Sequence, residues 1–221
     1  MRPNPRTIRL DLISDVVCPW CVIGYRQVLG AVARMDGAIQ LDVHWHPFEL
    51  NPAMPPQGQD LYEHVRDKYG ATPESSHKAR ARITALGADL GFAFAFTDAS
   101  RIVNTFQAHQ LLHWAGPLGR QTALSEALFA AYFTRGQDVS DTEVLLACAE
   151  AAGLDRADAG VVLSERRFAN QVRAAEQVWS DQGITAVPTL VFEGRYLIAG
   201  AQSLDRFAGV LAQVMATPAT R

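Results

Sequence analysis

A Cys-Pro-Trp-Cys run at residues 18–21 stands between two segments with different hydrophobic periods. Residues 8–13 alternate apolar and polar side chains, which predicts a β-strand, and apolar residues from Val22 to Val32 recur at helical spacing. A strand-to-helix turn places Cys18 at the start of the helix, where free backbone N–H groups and the helix dipole favour a thiolate. Two sulfur atoms one helical turn apart can close a disulfide where the turn allows its geometry. The run therefore predicts thiol–disulfide chemistry.

Composition excludes several classes of protein. At 221 residues the chain has room for one large domain or two small ones, and 48% hydrophobic with 19% charged residues is typical of a globular protein. A net charge of -3 gives no electrostatic case for binding nucleic acid or an anionic membrane. No segment approaches the roughly 18 apolar residues of a membrane span. Three cysteines are too few for a secreted disulfide framework, so we expect a cytoplasmic protein.

Residues 1–50 carry a strand, a helix and a second strand. The second strand is predicted at residues 41–46, where Leu41, Val43 and Trp45 alternate with polar side chains. Because a helix connects the two strands, we expect a βαβ unit with the strands parallel.

Residues 51–163 differ from the segment before them, since they are rich in Ala, Leu, Arg and Glu. Thr72 followed by Pro73 predicts a helix start, and residues 140–143 form a capping box for another helix. The short alternation at residues 92–96 is the one strand-like pattern. We predict an all-helical region of five helices.

Residues 164–221 return to mixed structure. A helix is predicted to end near Gly183, strands follow at residues 189–192 and 196–198, and Ser203 is the predicted N-cap of a final helix. The two outer regions therefore predict one discontinuous α/β domain, interrupted by the helical region as an insertion domain.

Five motifs follow one another along the chain in the order of a known family. They are residues 14–21, residues 47–52, Asn104-Thr105 with Ala108-His109, residues 183–189 and residues 200–202. In these motifs the chain resembles the DsbA family of the thioredoxin superfamily, and the finer resemblance is to its FrnE-like subgroup. The resemblance implies a thioredoxin fold with a large all-helical insertion domain, a disulfide oxidoreductase or isomerase activity, and a cis Pro188.

Other relatives in this family have a serine at the position of Cys18 and use glutathione as a cofactor. They include 2-hydroxychromene-2-carboxylate isomerases and kappa-class glutathione transferases. Both cysteines are present here, which favours the dithiol branch. Trp20 stands where periplasmic DsbA has a histidine, so the resemblance does not imply a strongly oxidising protein.

The three cysteines receive different roles. Cys18 is the predicted nucleophile, because it is nearer the helix start, and Cys21 is the predicted resolving thiol. The alternative for the pair is half of a zinc site, but tetrahedral zinc needs about four ligands and the chain has one further cysteine. Cys148 lies in an apolar helical stretch and is predicted to be a buried, unreactive thiol.

Four residues are predicted to contact the substrate close to the cysteines. Pro19 and Trp20 shape the rim of the site. The N–H and C=O groups of Val187 can pair with an extended substrate segment, as in strand addition, while Pro188 has no N–H to donate.

Two further residues from the motifs are predicted to belong to the site. Asn104 is expected to face the thiols, with helix capping as the alternative, and His109 is expected near the cleft. Asp15 either modulates proton transfer to Cys21 or is a turn residue. His44 and His46 share one strand face, but no further ligands stand at a matching spacing, so no metal site is predicted.

Three hypotheses follow. The first is a thiol–disulfide oxidoreductase or isomerase that acts on protein thiols and disulfides or on low-molecular-weight thiols, with no cofactor beyond its dithiol and with glutathione as an optional co-substrate. The second is a glutathione-dependent isomerase or transferase for a small aromatic or polyketide-like substrate held between the two lobes. The third is a non-catalytic binding module. The oligomeric state stays open, a dimer included, and no metal, nucleic-acid or membrane partner is expected.

Overall fold

The structure is a computed structural model that describes residues 4–217. In chain order its elements are β1 (Arg6–Ser14), α1 (Pro19–Ala33), β2 (Ile39–Pro47), β3 (Gln59–Asp60), α2 (Leu61–Tyr69), α3 (Pro73–Asp89), β4 (Arg101–Ile102), α4 (Phe106–Ala115), α5 (Gln121–Phe129), a π-helical turn (Ala130–Thr134), α6 (Thr142–Ala151), α7 (Arg156–Ser164), α8 (Ala169–Asp181), β5 (Thr189–Phe192), β6 (Tyr196–Ala199) and α9 (Leu204–Ala216). The predicted α/β class, a thioredoxin fold with a large helical insertion, is confirmed.

Four strands form the main sheet in the order β2-β1-β5-β6. β1 and β2 run parallel, with Leu10 opposite Val43, as predicted for strands joined by the crossover helix α1. β5 runs antiparallel to β1, with Leu12 opposite Leu190, and β6 pairs antiparallel to β5. The two-residue strands β3 and β4 form a separate small pair.

Side-chain alternation on β1 builds two layers. Leu10 and Leu12 point towards α1 and α9, where they are fully buried with Phe192 and Phe207. Ile13 points to the opposite face, which α8 covers. Full burial of such a side chain contributes about 1.5–3 kcal/mol. The layer between β1, α1 and α9 therefore fixes the helix that carries both redox cysteines.

The helical region contains more helices than the sequence predicts. Within the described residues, six α-helices (α2–α7) stand where five were predicted. The helices α2 and α3 are separated by a turn at Gly70, whose φ of +67° lies in the left-handed region that ends a helix. Thr72 then caps α3, as predicted, with its side chain accepting from Ser75 N.

A second correction concerns the N-terminus of α6. The predicted capping box began at Ser140, but the cap is Asp141, whose carboxylate accepts from Glu143 N and Val144 N. Residues 92–96, whose side chains alternate as in a strand, form no strand, and their phenylalanine side chains pack in the core instead. Phe94 lies against Phe133 with ring centroids 5.0 Å apart.

The helical region and the sheet share buried side chains. Ile83, Phe94 and Phe133 of the helical region lie in the same cluster as α1 and β1. A second cluster, which includes Leu124 and Leu145, fills the space among α4, α5, α6 and α7. The division into domains 1–50 with 164–221 and 51–163 stays a prediction, and residues 1–3 and 218–221 of it lie outside the described residues.

Candidate active site

The Cys18–Cys21 turn connects the end of β1 to the start of α1. Its geometry is fixed by the bond from Cys18 N to Asp15 O (3.1 Å) and by the bond from Cys21 N to Cys18 O (3.1 Å). Cys18 is the N-cap residue of α1, and Pro19 is the first helical residue, where its missing N–H costs nothing. The first cysteine therefore lies at the helix N-terminus, as the sequence predicts.

The two thiols are free, and they lie in different surroundings. Cys18 is 3% exposed, and its Sγ donates to the Val187 carbonyl oxygen at 3.7 Å. Cys21 is fully buried. Burial and the neighbouring Cys18 raise the pKa of the Cys21 thiol well above its ordinary value, while the Ser14 hydroxyl and the Asp15 backbone N–H act in the opposite direction.

The Val187–Pro188 segment lies directly beside this turn. The peptide bond between the two residues is cis, as the resemblance implies. Pro188 packs on α1 at Gly24, where a Cβ atom would come within 3.2 Å of the proline ring. A glycine at this position therefore allows the close approach that brings the Val187 carbonyl to Cys18.

The front cleft, as we call the opening at Cys18, has a volume of about 540 Å³. From the turn side it is lined by Val17, Cys18, Pro19, Trp20 and Val187, and from the helical side by Leu50, Asn51, Leu61, His64, Val65, Tyr69, Gly70, Ala71, Ser75, Ser76, Ala79, Arg80, Ile83, Phe96, Ile102, Tyr132 and Phe133. Most of these side chains are apolar. Trp20 is half-buried at the rim, where the Arg82 guanidinium lies 5.8 Å from its ring.

A buried histidine–aspartate pair lies behind the turn. His109 Nε2 is 3.3 Å from Asp15 Oδ1, and both side chains are at most 2% exposed. Asp15 Oδ2 also accepts from Leu50 N at 2.7 Å. Burial lowers the pKa of His109, but the acidic neighbours Asp15, Glu176 and Glu49 outweigh it, so the pKa is raised above its ordinary value.

Glu49 extends this buried group towards α8. Its side chain is 1% exposed and forms an ion pair with Arg173, which also binds Glu176 at 2.8 Å. Burial raises the pKa of the Glu49 carboxyl, and Arg173 opposes that shift. Asn104 Nδ2 donates to Glu49 Oε1 at 3.5 Å, and Asn104 Oδ1 accepts from Phe106 N at the start of α4. Thr105 is the N-cap residue of α4, and Asn104 binds the first helical N–H from the position before it.

The rear cavity, as we call the space on the other side of the turn, has a volume of about 650 Å³. It is lined by Ser14, Val16, residues 41–47, His109, Leu112, His113, Gly116, Pro117, Gly119, Gln121, Thr122, Ser125, Phe129 and Ala175. Four histidines belong to this lining: His44, His46, His109 and His113.

Some of the predicted site residues meet at the front cleft, and others lie away from it. Cys18, Pro19, Trp20 and Val187 meet at the front cleft. Asn104 and His109 are absent from the described lining of this cleft: Asn104 lies beside Glu49, and His109 lines the rear cavity. Their contact with substrate stays a prediction.

Ser14, Glu49 and Arg173 were not singled out from the sequence. Glu49 carried a signal, because it stands within one of the five motifs. Ser14 lies there too, but nothing in the sequence shows that its hydroxyl faces Cys21. Arg173 belongs to a helix whose exposed face is rich in charges, where no pattern separates it from its neighbours.

The remaining candidates have ordinary structural roles. His44 pairs with Asp42 at 2.9 Å and His46 with Asp11 at 2.7 Å. Between residues 4 and 217 no three potential metal ligands come together. Cys148 is buried, its Sγ donates to a backbone carbonyl, and burial raises its pKa. No helix in the described part of the chain has both the length and the apolar character that crossing a membrane requires.

Comparison with known proteins agrees with this architecture. Residues 9–212 match the family of the DSBA-like thioredoxin domain. The uncharacterized protein YwbO of Bacillus subtilis is 29% identical over 202 residues, which cover 91% of this chain and 94% of YwbO. The probable DsbA oxidoreductase SCO1869 of Streptomyces coelicolor is 32% identical, with a TM-score of 0.87 over 97% of this chain and 93% of that one. The cytosolic disulfide reductase DsbM of Pseudomonas aeruginosa, solved with GSH, shares the fold at 19% identity, with a TM-score of 0.64 over 95% and 100% of the two chains.

Proposed function

The chain belongs to the DSBA-like thioredoxin domain family, and from this membership we propose a disulfide oxidoreductase that works through Cys18 and Cys21. One observation carries the proposal. Cys18 caps α1, opens to the front cleft and has its Sγ beside the Val187 carbonyl, while Cys21 lies fully buried one helical turn further on. A thiol in the wall of a cleft, with a fully buried second thiol next to it, is the arrangement that two-step disulfide exchange requires.

In the proposed reaction the Cys18 thiolate attacks one sulfur of a substrate disulfide. A mixed disulfide forms, and the other substrate sulfur leaves as a thiolate. Cys21 then loses its proton and attacks the Cys18 sulfur, which releases the second substrate thiolate and leaves a Cys18–Cys21 disulfide. Two electrons pass from the dithiol to the substrate, and the same steps in reverse oxidise a substrate dithiol.

The helix N-terminus and the cleft give the other residues their proposed roles. The dipole of α1 favours negative charge at Cys18 Sγ, where the first step needs a thiolate. Pro19 and Trp20 form the wall against which the substrate lies, and the backbone of Val187 pairs with an extended substrate segment. Protein disulfides and low-molecular-weight disulfides both fit this arrangement.

Reduction of insulin by dithiothreitol tests the proposal. We expect the wild-type protein to accelerate the reaction and Cys18→Ser to lower the rate to that of dithiothreitol alone, because the attacking sulfur is lost. Cys148→Ser is the matched control, since it removes a buried thiol far from the turn, and it should match the wild type. Equal activity of Cys18→Ser and wild type would overturn the proposal.

A second candidate is the glutathione-dependent isomerase or transferase. The front cleft favours it, because about 540 Å³ of mostly apolar space has the size of a small-molecule site. Calorimetric titration with glutathione distinguishes the two candidates. Tight glutathione binding by the wild-type protein and by Cys18→Ser, together with no insulin reduction, would favour the second candidate.

The finer assignments belong to this proposal. We place the chain in the FrnE-like subgroup on its five motifs, and we propose glutathione as a co-substrate by analogy with DsbM. Whether the protein oxidises, reduces or isomerises depends on its reduction potential, which equilibration with glutathione buffers measures. The cytoplasmic location stays a prediction from the cysteine count.

A further inference from the structure

Two-step exchange requires the buried Cys21 thiol to lose its proton, but it does not specify where that proton goes. Before its sulfur attacks, Cys21 must lose a proton, yet the side chain is fully buried. It is absent from the lining of the front cleft within the described residues, and Cys18 stands between it and that opening. In the mixed disulfide the substrate occupies the front side as well. The proton therefore needs another way out.

Besides the Cys18 thiol, which the mixed disulfide occupies, two groups hydrogen-bond to Cys21. They are the Ser14 hydroxyl and the backbone N–H of Asp15. A backbone N–H only donates, whereas a hydroxyl both donates and accepts, so of these two groups Ser14 alone can pass a proton on. Ser14 is the last residue of β1, and its position on the strand puts its side chain on the α1 face, where Cys21 lies.

Ser14 also lines the rear cavity, and His109 lines the same cavity. A cavity of about 650 Å³ that both side chains line is large enough to hold several water molecules. Several charged and titratable groups lie around His109. They are Asp15 from the turn, Glu49 after β2, Arg173 and Glu176 from α8, and His113 from its own helix α4.

This environment suits His109 as the acceptor. Its imidazolium form would be stabilised by the pair with Asp15 at 3.3 Å and by the carboxylates of Glu49 and Glu176. When the neutral imidazole of His109 gains a proton here, the protonated form is therefore more stable than it would be in an apolar core.

On the basis of the proposed function, we propose that Ser14 and His109 form the proton exit of Cys21. The Ser14 hydroxyl accepts the proton of the Cys21 thiol and passes one on to the rear cavity, where His109 takes it up. The thiolate electron pair then forms the Cys18–Cys21 bond, the mixed-disulfide bond breaks, and its electron pair leaves with the substrate thiolate. His109 returns its proton to solvent through the cavity.

Stopped-flow reaction with 5,5′-dithiobis(2-nitrobenzoate) separates the two steps. The first equivalent of coloured thiolate reports the attack by Cys18, and the second reports the attack by Cys21 on the mixed disulfide. All proteins carry Cys148→Ala, so that only two thiols react. Cys21→Ser identifies the second phase by its loss.

We expect Ser14→Ala to slow the second phase by roughly 10-fold and to leave the first phase within about twofold, because only the second step uses the relay. Ser14→Thr keeps the hydroxyl and should restore most of the rate. The matched control is Ser125→Ala, which removes a buried hydroxyl from the lining of the same cavity, and it should leave both phases unchanged.

His109→Gln tests the acceptor by a pH profile from about pH 6 to about pH 9. We expect the second phase of the variant to fall furthest below the wild-type rate at the high end, where the wild-type imidazole is neutral and can accept a proton, and to approach the wild-type rate at the low end, where His109 is already protonated. A loss of similar size in both phases, or at every pH, would show a structural role and overturn the proposal.

The failures of the two proposals are distinguishable. Wild-type kinetics with two phases and a Ser14→Ala variant equal to wild type would overturn the proton exit alone. A wild-type protein without a second phase, and without insulin reduction, would overturn the proposed function together with the inference that rests on it.

Discussion

The front cleft and the rear cavity lie on either side of the Cys18–Cys21 turn and differ in the polar groups that line them. Their volumes are similar, about 540 and 650 Å³. The front cleft is walled mainly by apolar side chains and contains Cys18, while the rear cavity contains four histidines and reaches Ser14 behind Cys21. The two thiols, one helical turn apart, therefore face different kinds of surroundings.

This difference indicates separate roles for the front cleft and the rear cavity. An apolar cleft can hold a substrate and exclude water around the reacting sulfur atoms without supplying charge of its own. Burial of the Asp15 carboxylate carries a desolvation cost that its contacts with His109 and Leu50 N only partly offset. The proposed proton exit would give this buried polar group a role besides stability.

The largest effect is expected from Cys21→Ser, which keeps the front step and removes the rear one. Attack by Cys18 on a substrate disulfide should proceed, but the mixed disulfide should persist because no second thiol resolves it. Insulin reduction should fall to the rate of the reductant alone. Mass spectrometry should find the substrate attached to Cys18, and rapid release of the substrate from this variant would contradict the assigned roles.

A smaller effect, on stability, is expected from the ion pair between Glu49 and Arg173. Arg173→Ala leaves a carboxyl that is 1% exposed without its cation, and we expect a loss of about 2 kcal/mol, since Arg173 itself is 48% exposed. Glu49→Gln should cost less, because Arg173 can turn to solvent.

The loss in Arg173→Ala should depend on pH in a defined direction. Burial raises the folded-state pKa of Glu49 above its ordinary 4.5, so its contribution to stability is fullest below that value and is lost as the pH rises. Removal of Arg173 raises this pKa further. Urea unfolding should therefore show a larger gap between Arg173→Ala and wild type at about pH 7 than at about pH 4. Glu49→Gln, which cannot ionise, is the control, and a gap that narrows with rising pH would contradict the argument.

The front side was more predictable from sequence than the rear. Cys18 and Cys21 could be predicted as a redox pair from their spacing and from their position between a strand and a helix, both of which have clear hydrophobic periods. Val187 and Pro188 followed only from the resemblance, since no local pattern places residues so far along the chain beside Cys18. The parallel pairing of β1 and β2 followed from the crossover connection.

The rear side could not be predicted because it consists of contacts between distant segments. Asp15 meets His109 from positions 94 residues apart, and Glu49 meets Arg173 from positions 124 residues apart. Hydrophobic periods locate elements but do not say which polar side chains share a buried space.

The smallest effect is expected from Trp20→Ala, which changes the rim of the front cleft and leaves the rear cavity intact. An aromatic ring adds about 0.5–1.5 kcal/mol to a contact with another aromatic ring, so its loss should slow the reaction with 4,4′-dithiodipyridine by roughly 2- to 10-fold. The reaction with hydroxyethyl disulfide, which has no ring, should change little, and Trp20→Phe should keep most of the preference. The second phase with 5,5′-dithiobis(2-nitrobenzoate) should keep its wild-type rate, because Trp20 lies outside the proton exit. Equal losses for the aromatic and aliphatic disulfides would instead mean that Trp20 supports the turn itself, and the front cleft would then have no part in choosing the substrate.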